Sequence, residues 1–273
     1  MEGGSVLIKL LAIDLDDTLL RTDCTISPGA KAAIEEAIAR GVVVTFATGR
    51  MYLSARPFAQ QLGLDVPLIT YQGALIKSAL LGEVFWHKPV PSNIAQEILA
   101  KADEWLLHAN LYLNDQLYVK EDNESIKAYS ELAKVPYIIE RGIFDRVKAE
   151  SLEPTKILLI GEPKRLDQIW EESKEGLGRK VQIVKSKDHF LEFTNLDATK
   201  GEALSALAEK LAIPMEATMA IGDSYNDIDM LIQSGVGVAM GNAKTAVKEV
   251  ADYVTLCHDD DGVAEAIRRF ILK

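Results

Sequence analysis

The stretch LIKLLAIDLDDTLL, residues 7–20, narrows most what this chain can fold into. Over residues 7–13 only Lys9 interrupts an apolar run. That is the pattern of a strand buried on both faces, as in a parallel sheet. The run ends in Asp14, Leu15, Asp16, Asp17 and Thr18. In an open α/β sheet, ligands gather beyond the carboxyl ends of the strands, and Asp14 stands where this strand would end. A sharp bend after Asp14 is expected to turn Asp14 and Asp16 into one small volume. Carboxylates crowded in this way raise each other's pKa unless a cation is present. Hard oxygen ligands without His or Cys suit Mg²⁺.

The following segments continue an α/β rhythm. Ser27-Pro28 has the form of an N-cap with proline at the first helical position. Ala30, Ala33, Ile34, Ala37 and Ile38 then keep helical spacing up to Gly41. Residues 42–47 read as a second buried strand, with Thr48-Gly49-Arg50 at its carboxyl end. A helix is expected to about Leu62, and residues 67–70 form a third strand. This is β-α-β-α-β, the start of a doubly wound sheet.

The alternation then breaks. Residues 72–86 read as strands around Gly82. Beyond them come helices opening at Ser92 and over 124–133, 144–150 and 163–174. Strands are expected in a 111–119 hairpin around Asn114-Asp115 and over 137–139, 156–160, 181–185 and 190–193. From Thr199-Lys200-Gly201-Glu202, a capping-box pattern, the first rhythm resumes. Strands at 218–221, 236–240 and 253–254 alternate with helices, the last over 261–271. The expected fold class is therefore α/β. Residues 1–82 and 196–273 build a doubly wound, mostly parallel, Rossmann-like core, and 83–195 form an inserted α+β cap domain.

Hydrophobic residues make up 48% of the 273 and charged residues 26%, enough for a sizeable globular core. The formal net charge of −11 argues against broad binding to nucleic acid or to an anionic membrane. It leaves room for a local basic pocket that takes a small anion. Cys24 and Cys257 are far apart and in no metal spacing, which fits a reducing compartment. MEGGSVLIKLL has no basic stretch ahead of an apolar one, unlike a secretory leader, and no apolar run is long enough for a membrane span. The expectation is a soluble cytoplasmic protein, with no nucleic-acid or membrane partner and an oligomeric state that the sequence does not reveal.

Four features share a placement at strand ends or a helix start: Asp14 with Asp16, Thr48-Gly49, Lys200, and Asp223 with Asp227. Together they offer a carboxylate nucleophile, a second carboxylate, a hydroxyl, a cation and further metal ligands. Phosphoryl transfer needs an oxygen nucleophile, charge neutralisation and proton transfer. Lys200 would be unfavourable at a helix N-terminus unless an anion offset it.

In order, spacing and strand context, DLDDT, ATGR, the lysine of TKG and GDSYND resemble the four motifs of the haloacid dehalogenase superfamily. The inserted segment resembles the large α/β cap of the Cof-type subfamily, as does VAMGNA at 238–243. The resemblance covers nearly the whole chain. Each motif is common alone, but the ordered set is specific.

It implies a magnesium-dependent phosphatase for small phosphorylated metabolites, sugar phosphates or related monoesters, working through an aspartyl phosphate. By resemblance, Asp14 attacks phosphorus, and Asp16 protonates the leaving alcohol and then activates water. Thr48, with nearby backbone amides at Gly49, holds phosphoryl oxygens, and Lys200 balances their charge. The metal set is Asp14, Asp16 through its backbone carbonyl, and Asp223, with Asp227 supporting it. Asn226 lies near the phosphate, and Arg50 is placed to reach the substrate or the cap. The cap is expected over the carboxyl ends of the core strands, where closure excludes water and selects substrate.

Two positions depart from the family pattern. Gln72 stands where relatives often have Asn, and Asp17 where many have Gly. Two rival readings remain. A sugar phosphomutase would need a bisphosphate intermediate and additional cationic cap residues. Against a non-catalytic phospho-receiver stands Asp16, two residues after the nucleophile.

Overall fold

The computed structural model describes residues 7–63 and 65–273, so residues 1–6, on which the reading of the N-terminus partly rests, lie outside it. The chain forms two compact units. One comprises the chain up to Arg50, Ala55–Trp86 and Thr199–Lys273; the other comprises Met51–Ser54 and His87–Ala198.

The first unit opens with β1 (Leu10–Asp14), buried at every position, as the apolar run requires. The strand starts three residues later than the run suggests, and Leu7 is largely exposed. An irregular turn over Leu15–Leu19 follows, with Asp17 in the left-handed region at φ 59°. A bend does follow Asp14, since Leu15 leaves the extended conformation, but the extended Asp16 and the left-handed Asp17 then redirect the chain again. Helix α1 (Pro28–Ala39) is capped by Ser27, whose hydroxyl accepts the Ala30 N–H at 2.9 Å. Then come β2 (Val43–Ala47), α2 (Tyr52–Gln61), β3 (Pro67–Thr70), β4 (Leu75–Ser78) and β5 (Val84–His87).

The middle of the chain supplies α3 (Ser92–Glu104), β6 (His108–Leu113), β7 (Gln116–Val119), α4 (Glu124–Ala133) and β8 (Ile138–Ile139). It continues through α5 (Ile143–Ala149), β9 (Lys156–Ile160), α6 (Pro163–Ser173), β10 (Val181–Lys187) and β11 (Phe190–Asn195). The last part returns to the first unit with α7 (Lys200–Lys210), β12 (Thr218–Gly222), α8 (Ile228–Gln233) and β13 (Val236–Ala239). It closes with α9 (Thr245–Val250), β14 (Tyr253–Val254) and α10 (Gly262–Phe270).

The sheet of the first unit has the order β14-β13-β12-β1-β2-β3-β4-β5. Pairing is parallel from β14 to β3, and β4 joins antiparallel. β1 lies between β2 and β12, with Asp14 beside Ala47 and Ile13 beside Ile221. From this pair the early strands step one way and the late strands the other. That reversal is the topological switch point, where an open α/β sheet gathers a ligand site. The mixed α/β class and the doubly wound sheet expected from the sequence are what the chain adopts.

The second unit has its own sheet, in the order β10-β11-β9-β6-β7-β8, antiparallel except for the parallel β7–β8 pair. Alternation along β6 sends Ala109, Leu111 and Leu113 into an apolar core with α3, α5 and α6. Asn110 and Tyr112 belong to the other set. Tyr112 donates its hydroxyl hydrogen to Tyr129 at 2.6 Å, and Lys156 and Glu192, both buried, pair at 3.2 Å. Among the described residues, no helix is long and apolar enough to cross a membrane.

Candidate active site

The site is assembled at the carboxyl end of β1 and its neighbours. Asp14 is the last residue of β1 and is 5% exposed. Lys200 is the first residue of α7, behind the N-cap Thr199, whose hydroxyl accepts the Glu202 N–H at 3.1 Å. Its side chain is buried, with Nζ 2.6 Å from Asp14 Oδ1 and 2.6 Å from Asp227 Oδ1. A cation buried at the positive end of a helix is tolerable only with such partners. Burial pulls the Lys200 pKa down, and the two carboxylates outweigh it, so the ammonium is held charged above its ordinary range.

Asp227 has both oxygens engaged. Oδ1 takes Lys200, and Oδ2 accepts the backbone N–H groups of Asp223 and Ser224 at 3.0 and 2.9 Å. It thereby locks the turn leaving β12 and aims Asp223. That residue accepts the Thr18 hydroxyl at 3.1 Å and the Ser224 hydroxyl at 2.9 Å. Neither Thr18 nor Ser224 stood among the candidate residues read from the sequence. The signal for Thr18 was its place at the end of DLDDT.

Burial, followed by the nearby Asp227, pushes the Asp223 carboxyl up to about 6. Asp14 also lies well above its ordinary value, raised by burial first and pulled back in part by Lys200. Carboxylate oxygens of Asp14, Asp223 and Asp227 lie within 4.8 Å of one another. A crowded, buried, oxygen-only set, in which burial first and neighbouring charge second push the Asp14 and Asp223 carboxyls up, fits a hard divalent cation, which would relieve the repulsion. The residues therefore can hold a metal.

Asp16 is placed differently from the sequence expectation. Its carboxylate does not join that cluster. It makes a two-pronged pair with Arg50, Oδ2 to Nε at 2.8 Å and Oδ1 to Nη2 at 2.5 Å, with half of its side chain exposed. The extended backbone at Asp16 and the left-handed Asp17 swing it toward the turn that follows β2. Arg50 also lies over the Phe58 ring, 5.1 Å from its centroid. Thr48 is buried, and its hydroxyl accepts the Arg50 N–H at 3.1 Å, so it shapes the Thr48-Gly49-Arg50 turn.

Asn226 donates through Nδ2 to Gln72 Oε1 at 2.8 Å. Asn242, another residue not singled out in the sequence, donates through Nδ2 to the Asp17 carbonyl at 2.8 Å while its Oδ1 accepts the His258 N–H at 3.0 Å. It braces the turn that carries Asp16. The structure thus brings Asp14, Lys200, Asp223 and Asp227 into one cluster. Asp16 joins Arg50, and Asn226 joins Gln72 beside Gly49.

Residues 11–267 match the family model of the haloacid dehalogenase-like hydrolases. The chain belongs to that family. As a haloacid dehalogenase-like hydrolase it is an enzyme, and the class that goes with its relatives is phosphoric monoester hydrolysis. A 5-amino-6-(5-phospho-D-ribitylamino)uracil phosphatase of Bacillus subtilis is 35% identical over 97% of this chain and 96% of its own length. An HMP-PP phosphatase of Serratia proteamaculans is 31% identical over 89% of this chain and 87% of its own. A crystal structure from Thermotoga maritima superposes with a TM-score of 0.88 at 33% identity, covering 96% of this chain and 97% of that one.

Proposed function

We propose that this hydrolase is a Mg²⁺-dependent phosphatase of small phosphorylated metabolites that works through a phosphorylated Asp14. The observation that carries the reading is the buried bridge of Lys200 between Asp14 and Asp227, next to Asp223. It fixes Asp14 Oδ1 and leaves Oδ2 without a hydrogen bond among the described residues. Asp14 and Asp223 would hold Mg²⁺ through their carboxylates, with the Asp16 carbonyl, while Asp227 supports them. When bound, the ion supplies charge neutralisation for the phosphoryl group and for the carboxylates.

The residues of the chain then divide the work. Asp14 attacks phosphorus and displaces the ester oxygen, which takes its proton from Asp16. In the second half Asp16 removes a proton from water, the water oxygen attacks phosphorus, and the Asp14–phosphorus bond breaks to release phosphate. Half-exposed at the entrance to the turn, Asp16 suits an exchange of protons with both alcohol and water. Thr48 and the Gly49 amide hold phosphoryl oxygens, and Lys200 offsets their charge as preorganised electrostatic stabilisation. Residues 1–82 and 196–273 perform the chemistry, and 83–195 select the leaving group. The relatives' substrates favour a phosphorylated polyol, sugar or cofactor precursor. Two unpaired cysteines agree with a reducing cytoplasm.

The test is phosphate release from a panel of phosphomonoesters, with Mg²⁺ and after EDTA treatment, for the wild type and Asp14→Asn. Turnover that needs both Mg²⁺ and Asp14 is expected. Full activity of metal-free protein, or of undeamidated Asp14→Asn, would contradict it.

A further inference from the structure

Gln72 sits where three consecutive residues have positive φ: Tyr71 at 52°, Gln72 at 61° and Gly73 at 104°. Only glycine adopts this region freely, and runs of non-glycine residues there are held by their surroundings, most often at functional sites. Gly73 is obligatory for a second reason. A Cβ on it would collide with the Thr199 carbonyl, immediately before Lys200. The Gln72 N–H bonds to the Thr48 carbonyl at 3.2 Å, and the Tyr71 N–H to the Arg50 carbonyl at 2.9 Å. One strained turn therefore touches the Thr48–Arg50 turn, the start of the Lys200 helix and Asn226.

The side chain of Gln72 is 9% exposed. Its Oε1 is taken by Asn226 Nδ2 at 2.8 Å, which fixes the plane of the amide. Nε2 is then turned against Gly49, so close that a Cβ there would overlap it. This amide nitrogen makes no hydrogen bond among the described residues. The residue is largely buried, but Nε2 is not among the fully enclosed atoms that lack a partner, so this fixed donor keeps an open side from which an acceptor can approach, delivered by a strained backbone. Asn would accept the left-handed backbone more easily, but its amide is one methylene shorter. The added reach of Gln is what lays a donor over Gly49.

We propose that Gln72 is a substrate-contacting residue whose Nε2 donates to an oxygen of the phosphoryl group held at Thr48 and Gly49. The assignment rests on the phosphatase reading above, because that reading places the phosphoryl group at this turn. An anion there gives the donor its acceptor, and Asn226 sets the angle at which the amide meets it.

The experiment measures tungstate binding to the full-length, Mg²⁺-loaded protein by titration calorimetry, with kcat and KM on one turned-over ester. Gln72→Glu keeps the shape and an oxygen for Asn226 but removes the donor and adds a charge. Gln72→Met removes both polar atoms. Loss of one hydrogen bond to a charged group predicts about a ten- to hundredfold weaker tungstate affinity for both. Gln72→Asn, suited to the left-handed backbone, is expected to fold and to lose several-fold in affinity. Should either longer substitution fail to fold, Gln72→Asn decides: affinity equal to wild type overturns the assignment.

A role confined to bracing Asn226 is separated by a double-mutant cycle. If Gln72→Met weakens tungstate binding further in an Asn226→Ala background, the contact is direct. If it adds nothing there, the direct contact is overturned. Wild-type protein that binds tungstate while all Gln72 variants bind it equally refutes the Gln72 assignment alone. Wild-type protein that neither binds tungstate nor releases phosphate refutes the phosphatase reading and this one with it.

Discussion

Lys200 Nζ stands 2.6 Å from Asp14 and 2.6 Å from Asp227, and all three side chains are buried. The ammonium is the charge that lets two carboxylates share this interior. Lys200→Met would leave both uncompensated, which for a broken buried pair costs about 3–5 kcal/mol. The metal-free variant is expected to unfold at much lower urea, and turnover with Mg²⁺ to fall at least about a hundredfold. A Lys200→Met protein with wild-type urea midpoint and kcat would show that the bridge matters to neither stability nor chemistry.

The raised Asp223 pKa predicts how metal-free protein responds to acid. Its folded-state value of about 6 lies above its ordinary 3.8, so between these values the folded state binds more protons than the unfolded one. Stability is therefore gained as pH falls from 7 toward 4, by up to about 3 kcal/mol from this group. Asp14 shifts in the same direction. Melting curves in EDTA at pH 7 and pH 5 should show a larger rise on acidification for wild type than for Asp223→Asn. Saturating Mg²⁺ should remove the difference. Equal rises in EDTA would contradict the crowding account.

Asp16 should matter according to the leaving group. In single-turnover formation of the phosphoenzyme, Asp16→Asn is expected to slow a sugar phosphate by about 10²–10⁴, the usual range for general acid catalysis. p-Nitrophenyl phosphate, whose leaving group needs little protonation, should be slowed much less. Equal losses for both esters would remove Asp16 from the acid role.

Arg50 grips Asp16 with two nitrogens, a geometry that lysine cannot reproduce. Arg50→Lys should keep the charge and lose the aim. Expected is a fall in kcat of about tenfold with sugar phosphates, and a smaller one with p-nitrophenyl phosphate. An unchanged ratio between the two esters would mean that Arg50 does not act through Asp16.

What was legible in the sequence was local. The apolar runs of β2, β9 and β12 needed only their own residues, and the caps at Ser27 and Thr199 lie within three positions of what they cap. The ordered motifs placed Asp14, Lys200, Asp223 and Asp227 because each follows a strand or opens a helix. The Asp16–Arg50 pair was not legible. It depends on the β1–β2 register and on a left-handed Asp17, a conformation that aspartate tolerates without announcing it. The buried Lys156–Glu192 pair was hidden for a related reason, since a charged residue in a strand pattern reads as an exposed position until its cross-sheet partner is known. Asn242 was visible only as part of a family signature. Its contact with Asp17 spans 225 positions.

The strand order has a consequence in time. β1 is among the first elements to be synthesised, and its neighbour β12 is among the last. Between them the ribosome makes His87–Ala198, an uninterrupted stretch with its own sheet and apolar core. A nascent chain that has finished that stretch still carries Asp14 on a strand paired on one side only. The acids proposed to hold the metal cannot meet before the chain has passed Asp227, so the proposed site is completed only when synthesis is nearly over.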